Sequence, residues 1–253
     1  MRNILLKIAF DGTGYVGWQR QNDQPTIQGI IEDKLQVMTV AGASLHGAGR
    51  TDAGVHALGM TASFKTDSDI PCEGFLRGLN SMLPEDIRIL EVLEKDSAFH
   101  ARKNACGKSY YYQLQVGGIC LPTERLYCNH LKFEIDIESI RKCLVMLVGE
   151  HDFSCFEATG SRDPEYKGGK GAVRTITKAE LISGEGVPKP VAIEFVGDGF
   201  LRHMVRNMVG TLIEVGSGRI NVDDFRDILA GRDRTVAGPT APARGLFLKE
   251  VFY

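Results

Sequence analysis

Apolar positions along this chain recur with two periods, and the alternation between them divides it into short elements. Residues 4–10 (ILLKIAF) form a β-rich run that stops at Asp11-Gly12-Thr13-Gly14, a turn signal. Between 26 and 38, Ile27, Ile30, Ile31, Leu35 and Met38 fall on one helical face, with Pro25 near the start. A short strand near 43–47 leads into a Gly-rich run. At 58–65, Leu58, Met60, Ala62 and Phe64 alternate with polar or small residues, which predicts another strand. Pro71 opens a helix carrying Phe75, Leu76, Leu79 and Leu83, and a strand near 87–94 completes the first half.

The second half repeats that order of elements. A strand is expected at 108–116 (KSYYYQLQV) and a helix from Asp136, a good N-cap, through Val148. Strands follow near 173–183 and 191–197, a long helix at 200–215, a further helix after Asn221, and a strand at 245–252. Two β-α-β-β-α-β units make a split βαβ pattern repeated once. The expected fold is α+β: two ferredoxin-like halves, 1–104 and 105–253, related by a pseudo-two-fold. Their strands would form a mixed, mainly antiparallel sheet with a central cleft, a natural place for a site.

Composition narrows the function classes only a little. Hydrophobic content of 43% and charged content of 25% over 253 residues suit an ordinary globular protein. No apolar run is long enough to span a membrane. The N-terminal apolar stretch is broken by Lys7 and lacks a cleavage signal, so it reads as a first strand. Six cysteines (72, 106, 120, 128, 143, 155) form no C-x-x-C pair and no Cys/His cluster at zinc spacing, which predicts reduced thiols, a cytoplasmic setting and no metal. A net charge of −2 neither points to nucleic acid nor excludes it, since a local basic face can be balanced elsewhere.

Five runs can carry chemistry. Gly49-Arg50-Thr51-Asp52-Ala53-Gly54-Val55-His56 presents an acid and a base on a tight loop, or is a hairpin turn whose Asp caps its own backbone. Gly12-Thr13-Gly14-Tyr15-Val16-Gly17-Trp18-Gln19-Arg20-Gln21 holds the only Trp beside Tyr15 and Arg20. That mixture suits base stacking and phosphate contact, and equally suits a Trp plugging a core. Phe99-His100-Ala101-Arg102 precedes Lys108-Ser109-Tyr110-Tyr111-Tyr112, where Tyr110 and Tyr112 share one strand face. These tyrosines read as packing residues or as a stacking platform. On the expected helix from Phe200, Arg202 and Arg206 stand at i and i+4, flanking an apolar stripe. They need an anion if held at a buried edge, and are merely solvated if not. Thr240-Ala241-Pro242-Ala243-Arg244-Gly245-Leu246, taken alone, is a loop.

As an ordered set, GRTDAGVHA, DGTGYVGWQRQ, FHAR before KSYYY, MVRNMVG and TAPARGL resemble the bacterial tRNA pseudouridine synthase A family over roughly 4–252. The resemblance implies that Asp52 is the catalytic aspartate and that Arg50 acts in flipping the target nucleotide. It implies that Tyr110 packs on the target uracil and takes part in proton transfer, and that Arg206 pairs with Asp52. Arg102 falls where the family contacts tRNA, and Arg202, His203 and Lys108 complete the expected RNA-binding set. The activity implied is isomerisation of uridines 38, 39 and 40 in the tRNA anticodon stem-loop, by a homodimer using neither cofactor nor metal. The Gly/Lys-rich loop at 157–172, with Arg162, Lys167 and Lys170, departs from the best-known bacterial versions. Two other readings use the same residues: a non-catalytic tRNA-binding module on this scaffold, and a nucleoside hydrolase pairing Asp52 with Glu157 or Asp198.

Overall fold

The computed structural model describes residues 1–39, 43–161 and 171–253; Arg162, Lys167 and Lys170 lie outside the described residues. Among the described residues, ten strands, paired mostly antiparallel, and five α-helices make up most of the regular structure. The architecture is α+β. The chain divides into two compact units: unit 1 is Met1–Cys106 with Phe247–Tyr253, and unit 2 is Gly107–Leu246. The chain's last seven residues thus belong with unit 1.

In unit 1, β1 (Arg2–Phe10) pairs antiparallel with both β3 (His56–Thr66) and β4 (Ile87–Lys95). A two-residue β2 (His46–Gly47) and the return strand β10 (Leu246–Phe252) both lie on β3, β2 antiparallel and β10 parallel. Alternation sends Ile4, Leu6 and Ile8 to the core with Met60, Ala62 and Phe64. Helices α1 (Ile27–Thr39) and α2 (Cys72–Met82) add Ile27, Ile31, Leu35, Phe75 and Leu79. Phe75 meets Phe64 edge to face, with ring centroids 5.5 Å apart.

One expectation fails inside β3. Leu58 does not join the buried alternation and is 48% exposed. Ile8 pairs with Met60 but Phe10 pairs with Ala57, so β3 carries one extra residue here. Such a bulge reverses the facing of everything before it. Val55 and Ala57 are buried in its wake, and the bulge sits directly after the Asp52 loop.

In unit 2 the strands run β5 (Gly107–Val116), β9 (Lys189–Gly197), β8 (Val173–Ser183) and β7 (Gly149–Asp152), each antiparallel to the next. A short β6 (Asn129–Leu131) runs parallel to β5. Helix α3 (Ile137–Leu147) is capped as expected: the Asp136 carboxylate accepts the Glu138 and Ser139 amides. Helix α5 (Val222–Gly231) opens with a full capping box between Asn221 and Asp224. Helix α4 (Met204–Gly216) is buried on almost every side against α3, α5 and the turn Ser154–Phe156. It begins four residues later than the sequence suggests, because His203 at φ 62° takes the left-handed conformation that stops helix propagation. Arg202 therefore precedes the helix, and the i, i+4 helical pairing with Arg206 does not exist.

Candidate active site

The Asp52 loop joins β2 to β3 and rests on the preceding run at 12–18. The Trp18 amide donates to Thr51 O at 3.2 Å and the Gly54 amide to Tyr15 O at 3.3 Å, while Asp52 O accepts the Val55 amide at 3.2 Å. Gly17 makes this approach possible. Its φ is +92°, and a Cβ there would lie 2.5 Å from Thr51 O. Asp52 sits half-buried at the tip of a loop whose backbone is fastened on both sides.

The aromatic run supplies support instead of a stacking surface. Trp18 is 2% exposed, close against Gly47 and 6.2 Å from the Phe10 ring. Tyr15 is buried and donates to Asp86 Oδ1 at 2.6 Å; burial and that carboxylate push its phenol far above the usual range. Arg20 is bound by Glu32 Oε2 and Asp33 Oδ1, both at 2.6 Å, and by Gly29 O at 2.7 Å. Arg50 is exposed, its Nε donating to Gln19 Oε1 at 3.1 Å.

Beneath the loop, His56 is 1% exposed and stacks on Phe247, 4.6 Å away at 22°. Its Nδ1 lies 3.2 Å from the Gly12 amide and 3.1 Å from Asp11 Oδ1. A single ring nitrogen serves one of these at a time, and either contact ties the loop's exit to the end of β1.

The turn at 99–104 is held from three directions. Asn3 Nδ2 donates to Asp96 O and Phe99 O, Ser63 Oγ accepts the Ala101 amide, and Tyr253 Oη donates to Ala101 O at 2.9 Å. Ala101 is buried while Arg102 and Lys103 are exposed. The His100 ring stacks on His46, with centroids 5.1 Å apart.

In unit 2, Tyr110 and Tyr112 share the buried face of β5 and Tyr111 takes the other, half-buried side. Tyr110 meets Phe200 edge to face at 5.0 Å. Tyr112 Oη donates to Pro242 O at 2.8 Å, and burial raises its phenol far above the usual range. Lys108 stands at the start of the same strand, half-buried. Arg202 is exposed, its carbonyl accepting the Ala158 amide at 2.9 Å, and His203 is half-buried.

Arg206 is bound to the 240–245 segment, which by sequence alone is only a loop. Its Nε donates to Ala241 O at 2.8 Å, and its own carbonyl accepts the Ala241 amide at 3.0 Å. Next to it lies a hub that the sequence does not suggest. Asn207, 0% exposed, donates to Phe156 O at 2.8 Å and accepts from Thr240 Oγ1 at 2.6 Å and Arg234 Nη2 at 3.2 Å. Thr211 Oγ1 accepts the Gly238 amide at 3.0 Å. Gly210 permits the approach, since a Cβ would fall 1.7 Å from Pro239 O. The one signal for this hub in the sequence is an Asn inside an apolar helix stripe, three residues before a Gly. Of the two acids considered for hydrolysis, Glu157 accepts from Ser161 Oγ at 2.8 Å and Asp198 accepts the Thr175 amide at 2.9 Å.

The sequence matches the profile of the tRNA pseudouridine synthase family at residues 7–102 and 144–253. The chain belongs to that family. Pseudouridine synthases are isomerases, and the chain is accordingly assigned as an isomerase acting on tRNA. Among similar proteins, the tRNA pseudouridine synthase A 1 of Desulfotalea psychrophila is 55% identical over 253 residues, covering 100% of both chains. The tRNA pseudouridine synthase A 2 of Clostridium tetani is 46% identical, covering 100% of this chain and 99% of that one. The tRNA pseudouridine synthase A of Acetivibrio thermocellus is 45% identical, with 100% coverage of both. Among the described residues, no helix is long and apolar enough to cross a membrane, and no group of three or more His, Cys, Asp or Glu side chains could hold a metal ion.

Proposed function

We propose that this synthase converts uridines 38, 39 and 40 of the tRNA anticodon stem-loop to pseudouridine, with Asp52 as the catalytic carboxylate. The observation that carries the reading is the mounting of Asp52: a half-buried carboxylate on a loop clamped by Trp18, Tyr15 and the positive-φ Gly17. A catalytic group must be held in place before substrate arrives, and this loop's backbone is held on both sides. The two units are read as ferredoxin-like halves about a cleft, a reading supported in unit 1 by the strand neighbours β4-β1-β3-β2. A homodimer working in the cytoplasm belongs to the same reading, and light scattering in dilute buffer tests its first part.

The reaction breaks the bond from N1 of the base to the sugar carbon, rotates the base, and joins C5 to that carbon. The proton on C5 leaves to water and N1 gains one, so no redox partner or second substrate enters. Asp52 serves in its ionised form, with Arg206 as its counter-ion; an opposite charge nearby favours the ionised carboxylate. Attack on the sugar, attack on the base and removal of a sugar proton all use the same carboxylate.

Extruding a base from a stem costs a few kcal/mol. Stacking on an aromatic ring returns about 1–3 kcal/mol, and Tyr110, braced by Phe200, is the residue assigned to it and to any proton transfer at the base. Arg50, exposed two residues before Asp52, holds the extruded nucleotide. Arg102, Lys108, Arg202 and His203 contact the RNA.

With tRNA tritiated at uracil C5, the wild-type protein releases tritium to water. Asp52→Asn abolishes that release while tRNA binding stays nearly intact, and substantial turnover by this variant would overturn the assignment. Labelled free uracil would mean hydrolysis instead, and binding without release a non-catalytic module. Arg206→Leu lowers both activity and the thermal midpoint; unchanged activity would refute the pairing with Asp52.

A further inference from the structure

The turn at 99–104 and β2 bring four cationic or protonatable groups together on one side of unit 1. Ser63 is the junction: it pairs with His46 across β2–β3, and its Oγ accepts the Ala101 amide. His100 is thereby placed on His46, ring to ring at 5.1 Å and 25°, with Arg102 and Lys103 following. Among the described residues, no carboxylate pairs with any of the four. Burial, His46, Lys103 and Arg102 all act to disfavour the charged form of His100. The Arg102 amide donates to His100 Nδ1 at 3.1 Å, so the neutral ring carries its own proton on Nε2 as a donor.

Two exposed cations, Arg102 and Lys103, thus stand beside a stacked histidine pair. The backbone that carries them is fastened by Asn3, Ser63 and Tyr253, so their points of attachment stay together. Donors gathered on one fastened turn with no carboxylate paired to them are complementary to a polyanion. His46 precedes Asp52 by six residues, which limits their separation to about 20 Å even for extended chain.

We propose that His46, His100, Arg102 and Lys103 form a binding site for the RNA phosphodiester backbone next to the target nucleotide. His100 contributes a neutral Nε2–H donor, the stacked His46 ring buttresses it, and Arg102 and Lys103 supply charge. This rests on the reading of the chain as an enzyme acting on an RNA stem-loop.

The test uses the full chain and tRNA tritiated at uracil C5, comparing wild type with His46→Gln/Lys103→Gln. The double variant keeps the wild-type thermal midpoint and kcat, while KM and the tRNA dissociation constant rise about tenfold. The plot of log affinity against log salt flattens by about 0.7–0.9 for each phosphate no longer neutralised. Lys103→Arg keeps the wild-type slope, which a purely structural role would not predict. An active wild type with a double variant of unchanged KM and slope overturns the site. A wild type that releases no tritium overturns the parent reading instead, so the two failures are distinguishable.

Discussion

Arg20 and Arg102 come from look-alike stretches, each an arginine beside aromatic residues just past a strand, yet the fold treats them oppositely. Arg20 is bound by two carboxylates and a carbonyl, and the aromatics around it are buried. Arg102 stands exposed beside His100 and Lys103, on a turn whose backbone does all the fastening. What separates them is the partner. Glu32 and Asp33 reach Arg20 from one turn of α1, twelve and thirteen residues on. Aromatic-plus-arginine composition therefore marks either scaffold or an open basic surface, and the neutralising acids decide which.

Four substitutions press on that contrast, from the largest expected effect to the smallest. Trp18→Ala empties a site that is 2% exposed, and large-to-small changes of this kind cost about 3–5 kcal/mol. Calorimetry should show a midpoint lowered by about 10 °C, with activity lost as the Asp52 loop detaches. Gly17→Ala forces a methyl toward Thr51 O at a φ of +92°, costing about 1–3 kcal/mol. Turnover should fall more than tRNA affinity, because the displaced group is the loop proposed to carry the catalytic carboxylate; an unchanged kcat would show the loop tolerates movement. Arg102→Gln leaves the midpoint alone and weakens tRNA binding by about 1–2 kcal/mol, read by filter binding across a salt series. Arg20→Gln removes two ion pairs of a partly exposed side chain and changes stability by less than about 1 kcal/mol, with KM for tRNA untouched. Should Arg20→Gln raise KM as far as Arg102→Gln does, the two arginines are not different in kind.

Much of the secondary structure is legible because period is a local property. The strands at 87–95, 107–116 and 173–183 and the helices capped by Asp136 and Asn221 appear within a residue or two of where the pattern puts them. What stays hidden depends on a single residue's backbone or on a distant partner. The bulge that turns Leu58 outward leaves no mark on the apolar alternation. The left-handed His203 cuts four residues from α4 while the apolar stripe runs straight through it. Short β6 and β7 lack enough residues to show a period.

The same holds for the candidate site. Asp52 and Arg206 stand out because they sit in dense, distinctive runs, whereas Asn207, Arg234 and Thr240 are ordinary polar residues until folding brings them to one buried point. The plain loop at 240–245 likewise gains meaning only through its hydrogen bonds to Arg206 and Tyr112.

The return of Phe247–Tyr253 to unit 1 has a consequence for how the chain is made. A ribosome releases all of unit 2 before it releases the strand that places Phe247 under His56. The first unit emerges early and waits with the floor of its Asp52 loop missing. Chains that stall or are cut anywhere between Gly107 and Leu246 would carry the whole GRTDAGVHA run without that floor. The setting of the Asp52 loop is therefore complete only once the returning strand has been made.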